Sequence, residues 1–342
     1  MRNTYTAMAV LKPGTPLAPV PLPLPELGVG QVRIAVKACG VCAADVGTVS
    51  AAKSAYGFPL TPGHEVAGVI EAVGPDVADR QVGDRVAVGW FGGSCGRCSA
   101  CLRGDQVHCE YRQTPGVSYP GGWATSLVVP TTAVARIPDQ LSFADAAPMG
   151  CAGVTVFSAL RGACLPPGAT VAVFGLGGLG HLAVAFASAM GLRPLAIARG
   201  PERASAAYRL GAVEYIDAAD TDPAVALTEM GGADLILSTA SSTAAVSGLV
   251  GGLTPGGRLT LVGVDGGALN LPAAELVMKG ITVTGTLTGS ALDIEDTLRF
   301  AALTGVRPVL DAMPLAQAAA AVERLATGQA RFRIVLEADA NS

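Results

Sequence analysis

Apolar residues recur with two different periods along the chain, and the change between them predicts two kinds of domain. From Met8 to about Ile137, short apolar runs such as Met8–Leu11 and the alternating Gln31–Cys39 are separated by glycines and prolines. A period of two interrupted by such residues predicts β-strands in an irregular, mostly β domain. The proline-rich segment Pro13–Pro25 lies between strand-like runs, so we expect an extended edge segment there.

From Thr170 onwards, apolar strands alternate with helical segments, which predicts an α/β fold with a doubly wound parallel sheet. The predicted strands are Thr170–Phe174, Leu195–Ala198, Ala233–Thr239, Arg258–Val264 and Gly280–Thr286. After about Gly289 the pattern changes again and predicts two amphipathic helices and a closing strand. These lie at Ile294–Ala302, Leu315–Ala326 and Phe332–Leu336.

The turn after the first of these strands carries a glycine motif. Gly175, Gly177 and Gly180 have G-x-G-x-x-G spacing, and an Ala-rich helical pattern follows over Leu182–Met190. In a dinucleotide-binding turn the first glycine permits the tight turn, the second lets the backbone approach a pyrophosphate, and the third lets helix and strand pack closely. A structural turn that binds no phosphate is the alternative, since the chain holds 44 glycines. The turn residues expected at the phosphates are Gly175, Gly177, Gly178, Leu179 and Gly180.

The end of the second strand in this unit distinguishes the two nicotinamide cofactors. An NAD site carries an acid there, about 20 residues after the glycines, which binds the ribose 2′-hydroxyl. This chain has Ala198 at about that position, followed by Arg199, Gly200 and Arg203. Because arginine binds phosphate with paired hydrogen bonds, the sequence predicts NADPH. The alternative is that Arg199 is a solvated loop residue.

Composition limits the function classes further. The length of 342 residues and an apolar fraction of 50% predict two domains. A net charge of −4 without a basic run argues against a nucleic-acid surface, and the N-terminus lacks a signal segment, so we expect a cytoplasmic protein. Residues 169–198 are apolar enough for a membrane span, but the turn glycines, His181 and Arg193-Pro194 favour a buried βαβ unit. We expect Cys39 and Cys164 to be small core residues.

Four of the eight cysteines are clustered. Cys95, Cys98, Cys101 and Cys109 have C-x₂-C-x₂-C-x₇-C spacing. Four thiolates that close can fill a tetrahedral zinc shell, and a shell without an open position indicates a structural metal. Incidental cysteines and an iron–sulfur cluster are the alternatives. His108 is expected at the surface because the thiolates already complete the shell.

Three further potential ligands are far apart in the sequence. Cys42 follows a predicted strand, His64 lies in a P-G-H-E turn, and Cys151 opens the run C-A-G-V-T-V. Three N/S ligands and one open position are typical of a catalytic zinc. Asp45 is close enough to Cys42 to orient a histidine, and Glu65 is placed to approach the metal. Taken alone, His64 fits a hydrogen-bonded structural histidine more often than a ligand.

The motifs occur in the order C-G-V-C, P-G-H-E, C-x₂-C-x₂-C-x₇-C, C-A-G-V-T and G-L-G-G-L-G. In this order they resemble the zinc-dependent alcohol dehydrogenases of the medium-chain dehydrogenase/reductase superfamily, most of all the cinnamyl-alcohol-type and NADPH-dependent aldehyde reductase branch. The resemblance covers essentially the whole chain. It implies a GroES-like catalytic domain at residues 1–152 and 289–342, a structural-zinc lobe at about 90–112, and a Rossmann domain at 153–288.

The resemblance also implies roles for single residues. The catalytic zinc would have three ligands, a supporting carboxylate and an exchangeable ligand, namely Cys42, His64, Cys151, Asp45 and Glu65. Trp90 would line an apolar substrate channel, and the cysteine quartet would hold the structural lobe. The remaining cofactor contacts would be Thr155, Gly263, Val264, Leu287 and Thr288 at the nicotinamide and Arg333 at the pyrophosphate.

The chain departs from the family pattern at one position. Two residues after the first zinc cysteine the family carries Ser or Thr, whose hydroxyl passes on the alcohol proton, and this chain has Ala44. Ala43 and Gly47 stand at two further positions where relay residues occur. An alkyl side chain can neither donate nor accept a proton. Since positioned acid–base groups contribute about 10²–10⁴-fold, alcohol oxidation should be slow unless Thr48, Glu65 or water substitutes.

The sequence therefore predicts an oxidoreductase that uses NADP(H) and two zinc ions per subunit to reduce an aldehyde or ketone with an apolar body. An iminium or conjugated-alkene acceptor is the alternative that Ala44 suggests. A non-catalytic nucleotide-binding redox sensor is a second alternative. A homodimer or homotetramer is expected, because in the family the strand near Ile281–Leu287 builds the dimer contact.

Overall fold

The computed structural model describes residues 3–240, 242–263 and 265–338, and the chain divides into two compact units. The first unit comprises Met1–Val154 and Thr288–Ser342, and the second comprises Thr155–Leu287. These limits lie within two residues of the expected domain boundaries.

In chain order, the strands are β1 Thr4–Val10, β2 Leu17–Pro23, β3 Gln31–Val41, β4 Val66–Val73, β5 Arg85–Val88, β6 Ser126–Pro130, β7 Ala135–Arg136, β8 Thr170–Phe174, β9 Arg193–Ala198, β10 Glu214–Asp217, β11 Ala233–Ser238, β12 Leu253–Leu261, β13 Thr282–Gly285, β14 Leu310–Pro314 and β15 Arg333–Glu337. The α-helices are α1 Ala43–Val49, α2 Ser99–Leu102, α3 Phe143–Ala146, α4 Ala152–Gly162, α5 Gly180–Ala189, α6 Ala204–Arg209, α7 Pro223–Glu229, α8 Thr243–Ser247, α9 Ala273–Lys279, α10 Ala291–Thr304 and α11 Ala318–Ala326. Short 3₁₀ turns lie at Gln106–His108, Thr131–Ala133, Ala147–Gly150, Pro201–Arg203, Gly248–Gly252 and Leu315–Gln317.

The second unit contains a six-stranded parallel sheet in the order β10-β9-β8-β11-β12-β13. This is the doubly wound Rossmann order, so the predicted fold of this part is confirmed. Four of the five residues of β8 are buried, as expected for a strand covered on both faces. Phe174 at the end of β8 pairs in register with Ile197 and Ser238 on its two neighbours. The glycine turn therefore starts at the carboxyl edge of the sheet.

The first unit is built around a seven-stranded mixed sheet in the order β14-β15-β3-β4-β5-β7, with β6 also paired to β3. Along β3, half-buried and buried residues alternate until Ala38, and Cys39–Val41 are all buried. Alternation matches the sequence prediction and packs one face of β3 into the core. The buried end of β3 delivers the chain to Cys42, which precedes α1.

The proline-rich segment forms the edge strand that the sequence predicts. β2 pairs antiparallel with β1 only, in a two-stranded sheet. Its prolines stand at positions 19, 21 and 23, and since successive backbone N–H groups point in opposite directions, the missing donors share one side of the strand. The residues between them keep their N–H groups for pairing.

The structure differs from the sequence prediction in the limits of some helices and strands and in the burial of one cysteine. The predicted helix Leu315–Ala326 starts as a 3₁₀ turn, and α11 begins at Ala318. The predicted strand Gly280–Thr286 is shorter, because Gly280 has φ +63° and ends α9. Cys39 is buried as expected, but Cys164 is exposed in a turn with φ +52°, so its prediction as a core residue is wrong.

In the described part of the chain, no single helix is both long and apolar enough to cross a bilayer. A bent pair, Phe143–Gly150 and Ala152–Gly162, meets the same criterion only when the two segments are taken together.

Candidate functional site

Four side chains from three separate segments meet within the first unit. Cys42 stands at the end of β3, His64 and Glu65 immediately precede β4, and Cys151 follows the 3₁₀ turn Ala147–Gly150. One potential ligand atom from each of these residues lies within 4.8 Å of all the others. The structure therefore brings together the three ligands and the neighbouring carboxylate that the sequence singled out, although up to 109 residues separate Cys42 from Cys151 (151 − 42).

Asp45 fixes the orientation of the histidine in this cluster. Its carboxylate accepts hydrogen bonds from the backbone N–H groups of Cys42 (2.8 Å) and Gly63 (3.2 Å), and Oδ1 lies 3.2 Å from His64 Nδ1. When the proton in this contact is the only one on the imidazole, Nε2 presents its lone pair to a metal. Nε2 is buried and has no hydrogen-bond partner among the described residues. A free imidazole lone pair between two thiols is the donor set that zinc prefers, so these residues fit the metal.

The two thiols of the cluster have opposite pKa shifts. The pKa of Cys42 is lowered well below its ordinary value, first by a hydrogen bond from Cys151 and then by the neighbouring His64. The same hydrogen bond and burial raise the pKa of Cys151. A thiolate is the form of cysteine that binds metals, so the lowered pKa of Cys42 favours metal binding at this cluster.

Glu65 is held by a residue that no sequence pattern linked to it. Both of its carboxylate oxygens accept from Arg333 Nη2 across a separation of 268 residues, and the Glu65 and Arg333 side chains are 0% and 4% exposed. Burial raises the pKa of Glu65 to about 7, against the positive charge of Arg333, which lowers it. The placement of Arg333 at a pyrophosphate stays a prediction, and the structure adds its pairing with Glu65.

The cysteine quartet forms a second cluster. The four Sγ atoms lie within 4.8 Å of one another, with Cys109 Sγ 3.6 Å from Cys95 and 3.8 Å from Cys98. Cys101 comes from α2, whose first residue follows Cys98. Backbone N–H groups donate to the sulfurs of Cys95 and Cys109 at 3.3 Å, which favours the thiolate form. Four closely spaced thiols without a place for a fifth group fit a structural zinc.

His108 lies outside this cluster. Its Nδ1 is 2.8 Å from Asp105 Oδ1, and its side chain is 67% exposed. The expectation of a surface histidine therefore agrees with the structure.

The glycine turn has the shape that the motif requires. Gly175 has φ +97°, and a Cβ added at Gly180 would collide with the Gly175 carbonyl oxygen, which explains both glycines. By contrast, a Cβ at Gly177 would meet nothing within 4 Å, so the open side of the turn is at the position expected to face a pyrophosphate. Gly178 and Leu179 complete the turn, and α5 starts at Gly180. His181, the second residue of α5, is fully buried, and its Nδ1 lies 3.1 Å from the Gly177 carbonyl oxygen.

A cavity of about 480 Å³ in the second unit extends from this turn to the end of β9. It is lined by Gly175 and Leu176 at one end and by Ala198, Arg199 and Arg203 at the other. The size is within the range of small-molecule sites.

The two arginines of this cavity differ in their contacts with other side chains and with the backbone. Arg203 Nη1 donates to the Leu176 carbonyl oxygen at 3.0 Å, and Arg203 Nε is 3.7 Å from Glu202. Arg199 is exposed and makes no hydrogen bond or ion pair with another described residue. Arg199 is therefore the guanidinium available to a ligand, while Arg203 also ties the turn to the loop after β9.

Known protein families match the sequences of both units. The family model "Alcohol dehydrogenase GroES-like domain" matches residues 28–139, and "Zinc-binding dehydrogenase" matches residues 178–332. A curated relative, alcohol dehydrogenase notN of an Aspergillus species, is 39% identical and covers 98% of this chain and 99% of its own. The chain belongs to the zinc-type alcohol dehydrogenases of the medium-chain dehydrogenase/reductase superfamily.

Two solved structures are similar over the whole alcohol dehydrogenase chain. A cinnamyl alcohol dehydrogenase of Sorghum bicolor is 32% identical with a TM-score of 0.87 and covers 98% of this chain and 97% of its own. CAD from Helicobacter pylori, whose structure is complexed with NADP(H), is 26% identical with a TM-score of 0.86 and covers 98% and 99%. The resemblance inferred from the motifs is thus confirmed.

Beside the cluster that contains Cys42 and Cys151 in this alcohol dehydrogenase, Trp90 packs edge-on against His64 with ring centroids 4.8 Å apart. It thereby covers one side of the imidazole. Ala44 is the second residue of α1, and Thr48 donates its hydroxyl to the Ala44 carbonyl oxygen at 3.1 Å. Since Glu65 is paired with Arg333, both side chains suggested as substitutes for the missing relay are engaged elsewhere.

The residues expected at the nicotinamide belong to both units. In the second unit, Thr155 Oγ1 donates to the Leu287 carbonyl oxygen at 3.4 Å, and Gly263 is packed so closely on the Ala240 carbonyl that only glycine fits. Thr288, in the first unit, is buried and its hydroxyl has no partner among the described residues. Val264 lies outside the described residues. The nicotinamide contacts of all these residues stay predictions.

Proposed function

We propose that this alcohol dehydrogenase is a zinc-dependent, NADPH-preferring reductase of aldehydes or ketones with an apolar body. The observation that carries the proposal is the convergence of Cys42 and Cys151 on the unpartnered Nε2 of His64. Two zinc ions per chain follow from the two clusters. A non-catalytic redox sensor would need only the cysteine quartet, and the first cluster argues against it.

Zinc held by Cys42, His64 and Cys151 would supply a Lewis acid for the carbonyl oxygen, and a bound reduced nicotinamide would supply the hydride. Asp45 would keep His64 in the tautomer that leaves Nε2 free. Trp90 restrains the imidazole ring and presents an apolar surface beside it. These residues orient the reacting groups, which is the main contribution that a protein makes to hydride transfer.

The proton that carbonyl reduction requires has no side-chain donor at position 44. Thr48 already donates its hydroxyl within α1, and Glu65 is bound by Arg333. We therefore infer that water delivers this proton.

Cofactor preference depends on the rim of the cavity at Ala198. No acid stands at this position to bind a ribose 2′-hydroxyl, and the Arg199 guanidinium is free to bind a 2′-phosphate. The similar structure from Helicobacter pylori, which is complexed with NADP(H), supports this assignment.

The first test is a 340 nm assay with either cofactor. We expect kcat/KM to be at least about tenfold higher with NADPH than with NADH, because charge-assisted hydrogen bonds contribute about 1.5–3 kcal/mol. Arg199→Ala should remove most of this preference by raising the KM for NADPH. Arg193→Ala, at the opposite end of β9, is the matched control and should leave both cofactors unchanged. Equal use of the cofactors by the unaltered protein would contradict the proposal.

A second candidate acceptor follows from Ala44. An iminium ion or a conjugated alkene does not yield an alkoxide when hydride is added, so its reduction does not need the missing hydroxyl relay. Such compounds belong in the same substrate screen as the aldehydes.

Ala44→Thr tests the role of the missing hydroxyl. We expect it to raise the rate of simple alcohol oxidation by at least about tenfold, since positioned acid–base groups contribute about 10²–10⁴-fold. Ala52→Thr, just after the same helix, places a hydroxyl at an exposed position and should have no effect. If the unaltered protein already oxidises simple alcohols rapidly and Ala44→Thr changes nothing, another group serves as the relay.

We also propose a homodimer or homotetramer in the cytoplasm. β13 is the edge strand of the parallel sheet, and the neighbouring α9 exposes Val277 (79%) and Met278 (84%). An unpaired sheet edge beside exposed apolar side chains favours association with a second copy.

A further inference from the structure

The loop that carries Arg199 is anchored through the next residue, Gly200. Two side chains from another strand bind the N–H and the carbonyl oxygen of Gly200. The Gly200 N–H donates to Asp217 Oδ1 at 2.9 Å, and the Gly200 carbonyl oxygen accepts from the Tyr215 hydroxyl at 2.6 Å. Both partners belong to β10, which lies next to β9 in the parallel sheet. Tyr215 and Asp217 were not singled out by any sequence motif.

This arrangement determines the backbone on which Arg199 stands. Gly200 has φ +93° and ψ 133°, a conformation that residues with a Cβ rarely adopt, and a Cβ at this position would collide with the Glu202 carboxylate. A glycine in this region has many alternative conformations. Two hydrogen bonds that bind its N–H and its C=O select one of them.

One carboxylate oxygen of Asp217 binds two backbone N–H groups. Its Oδ1 accepts from the N–H groups of both Gly200 and Ala219, and its position in β10 is opposite Ala198. The Ala218 N–H in turn donates to the Ala198 carbonyl oxygen at 2.8 Å. The loops after β9 and β10 are thus joined at the rim of the cavity that Arg199 and Ala218 both line.

We propose that Tyr215 and Asp217 are positioning residues for cofactor selection: by fixing the Gly200 peptide groups they hold Arg199 at the place where the 2′-phosphate of NADPH binds. The inference rests on the proposed NADPH preference. The phosphate itself is bound by Arg199. NADH has no 2′-phosphate, so its binding does not depend on the direction of this side chain.

Tyr215→Phe tests the inference by removing a single hydroxyl. One hydrogen bond contributes about 0.5–1.5 kcal/mol, so we expect the KM for NADPH to rise about 2- to 13-fold while the KM for NADH and kcat stay unchanged. Asp217→Asn keeps an acceptor oxygen for the Gly200 N–H and should be milder than Asp217→Ala. Tyr208→Phe is the matched control, because the Tyr208 hydroxyl bonds Glu214 at 2.9 Å and does not contact Gly200.

A double variant distinguishes positioning from general stabilisation. With Arg199→Ala already present, Tyr215→Phe should change the KM for NADPH no further, since the side chain that it positions is gone. Equal effects of Tyr215→Phe on both cofactors, or no effect on either, would overturn the inference while the NADPH preference stands. If Arg199→Ala itself leaves the preference unchanged, the proposed cofactor site is wrong as well.

Discussion

His64→Ala is expected to lower kcat/KM for carbonyl reduction by at least about 10³-fold, since a Lewis acid contributes several kcal/mol of transition-state stabilisation. The substitution removes the one histidine of the cluster formed by Cys42, His64, Glu65 and Cys151, and Asp45 loses its contact with the imidazole. The lost interaction would act on the reacting oxygen, so the affinity for NADPH should be retained. Steady-state kinetics together with NADPH fluorescence titration measure the two quantities separately.

His108→Ala serves as the control for this variant. His108 is exposed and pairs with Asp105 in the structural lobe, so its replacement should leave the kinetics unchanged. Near-normal activity of His64→Ala would show that His64 is a structural histidine. A loss of NADPH binding in the same variant would instead indicate a folding defect.

The second large effect is expected for the buried pair of Glu65 and Arg333. Arg333→Met leaves the Glu65 carboxylate buried and unpaired, which should destabilise the first unit by about 3–5 kcal/mol. Both tryptophans of the chain, Trp90 and Trp123, lie in this unit, so intrinsic fluorescence during urea unfolding reports its stability directly. Arg331→Met replaces an exposed side chain two residues earlier in the sequence. Its free energy of unfolding should stay within about 0.5 kcal/mol of that of the unaltered protein.

A double variant gives this prediction a second readout. Combining Arg333→Met with Glu65→Gln removes both charges. The double variant should be less destabilised than Arg333→Met alone because no unpaired charge remains buried. If Arg333→Met is as mild as Arg331→Met, the contact between Arg333 and Glu65 does not stabilise the folded protein.

The parts of the site that could be predicted from the sequence depend on local patterns. The quartet Cys95–Cys109 and the turn Gly175–Gly180 each lie within a short segment, where spacing alone places the groups together. The strand β8 was predicted with its exact limits because a run buried on both faces is continuously apolar. Limits that depend on a glycine with positive φ, such as Gly280 after α9, were less accurate.

Contacts between distant segments could not be predicted in the same way. Glu65 and Arg333 are 268 residues apart, and nothing in either local sequence indicates the partner. The clamp on Gly200 by Tyr215 and Asp217 depends on the register between β9 and β10, which a single sequence does not specify. The spacing of Cys42, His64 and Cys151 does not bring them together, and their cluster was expected from their ligand types and from the resemblance of the whole set of motifs to a known family.

Zinc analysis of the purified protein by mass spectrometry tests the convergence of Cys42, His64 and Cys151 on one metal most directly. The account predicts two zinc ions per chain in the unaltered protein and in His108→Ala, and one in a folded His64→Ala variant. A single zinc ion per chain in the unaltered protein, or two in His64→Ala, would contradict it.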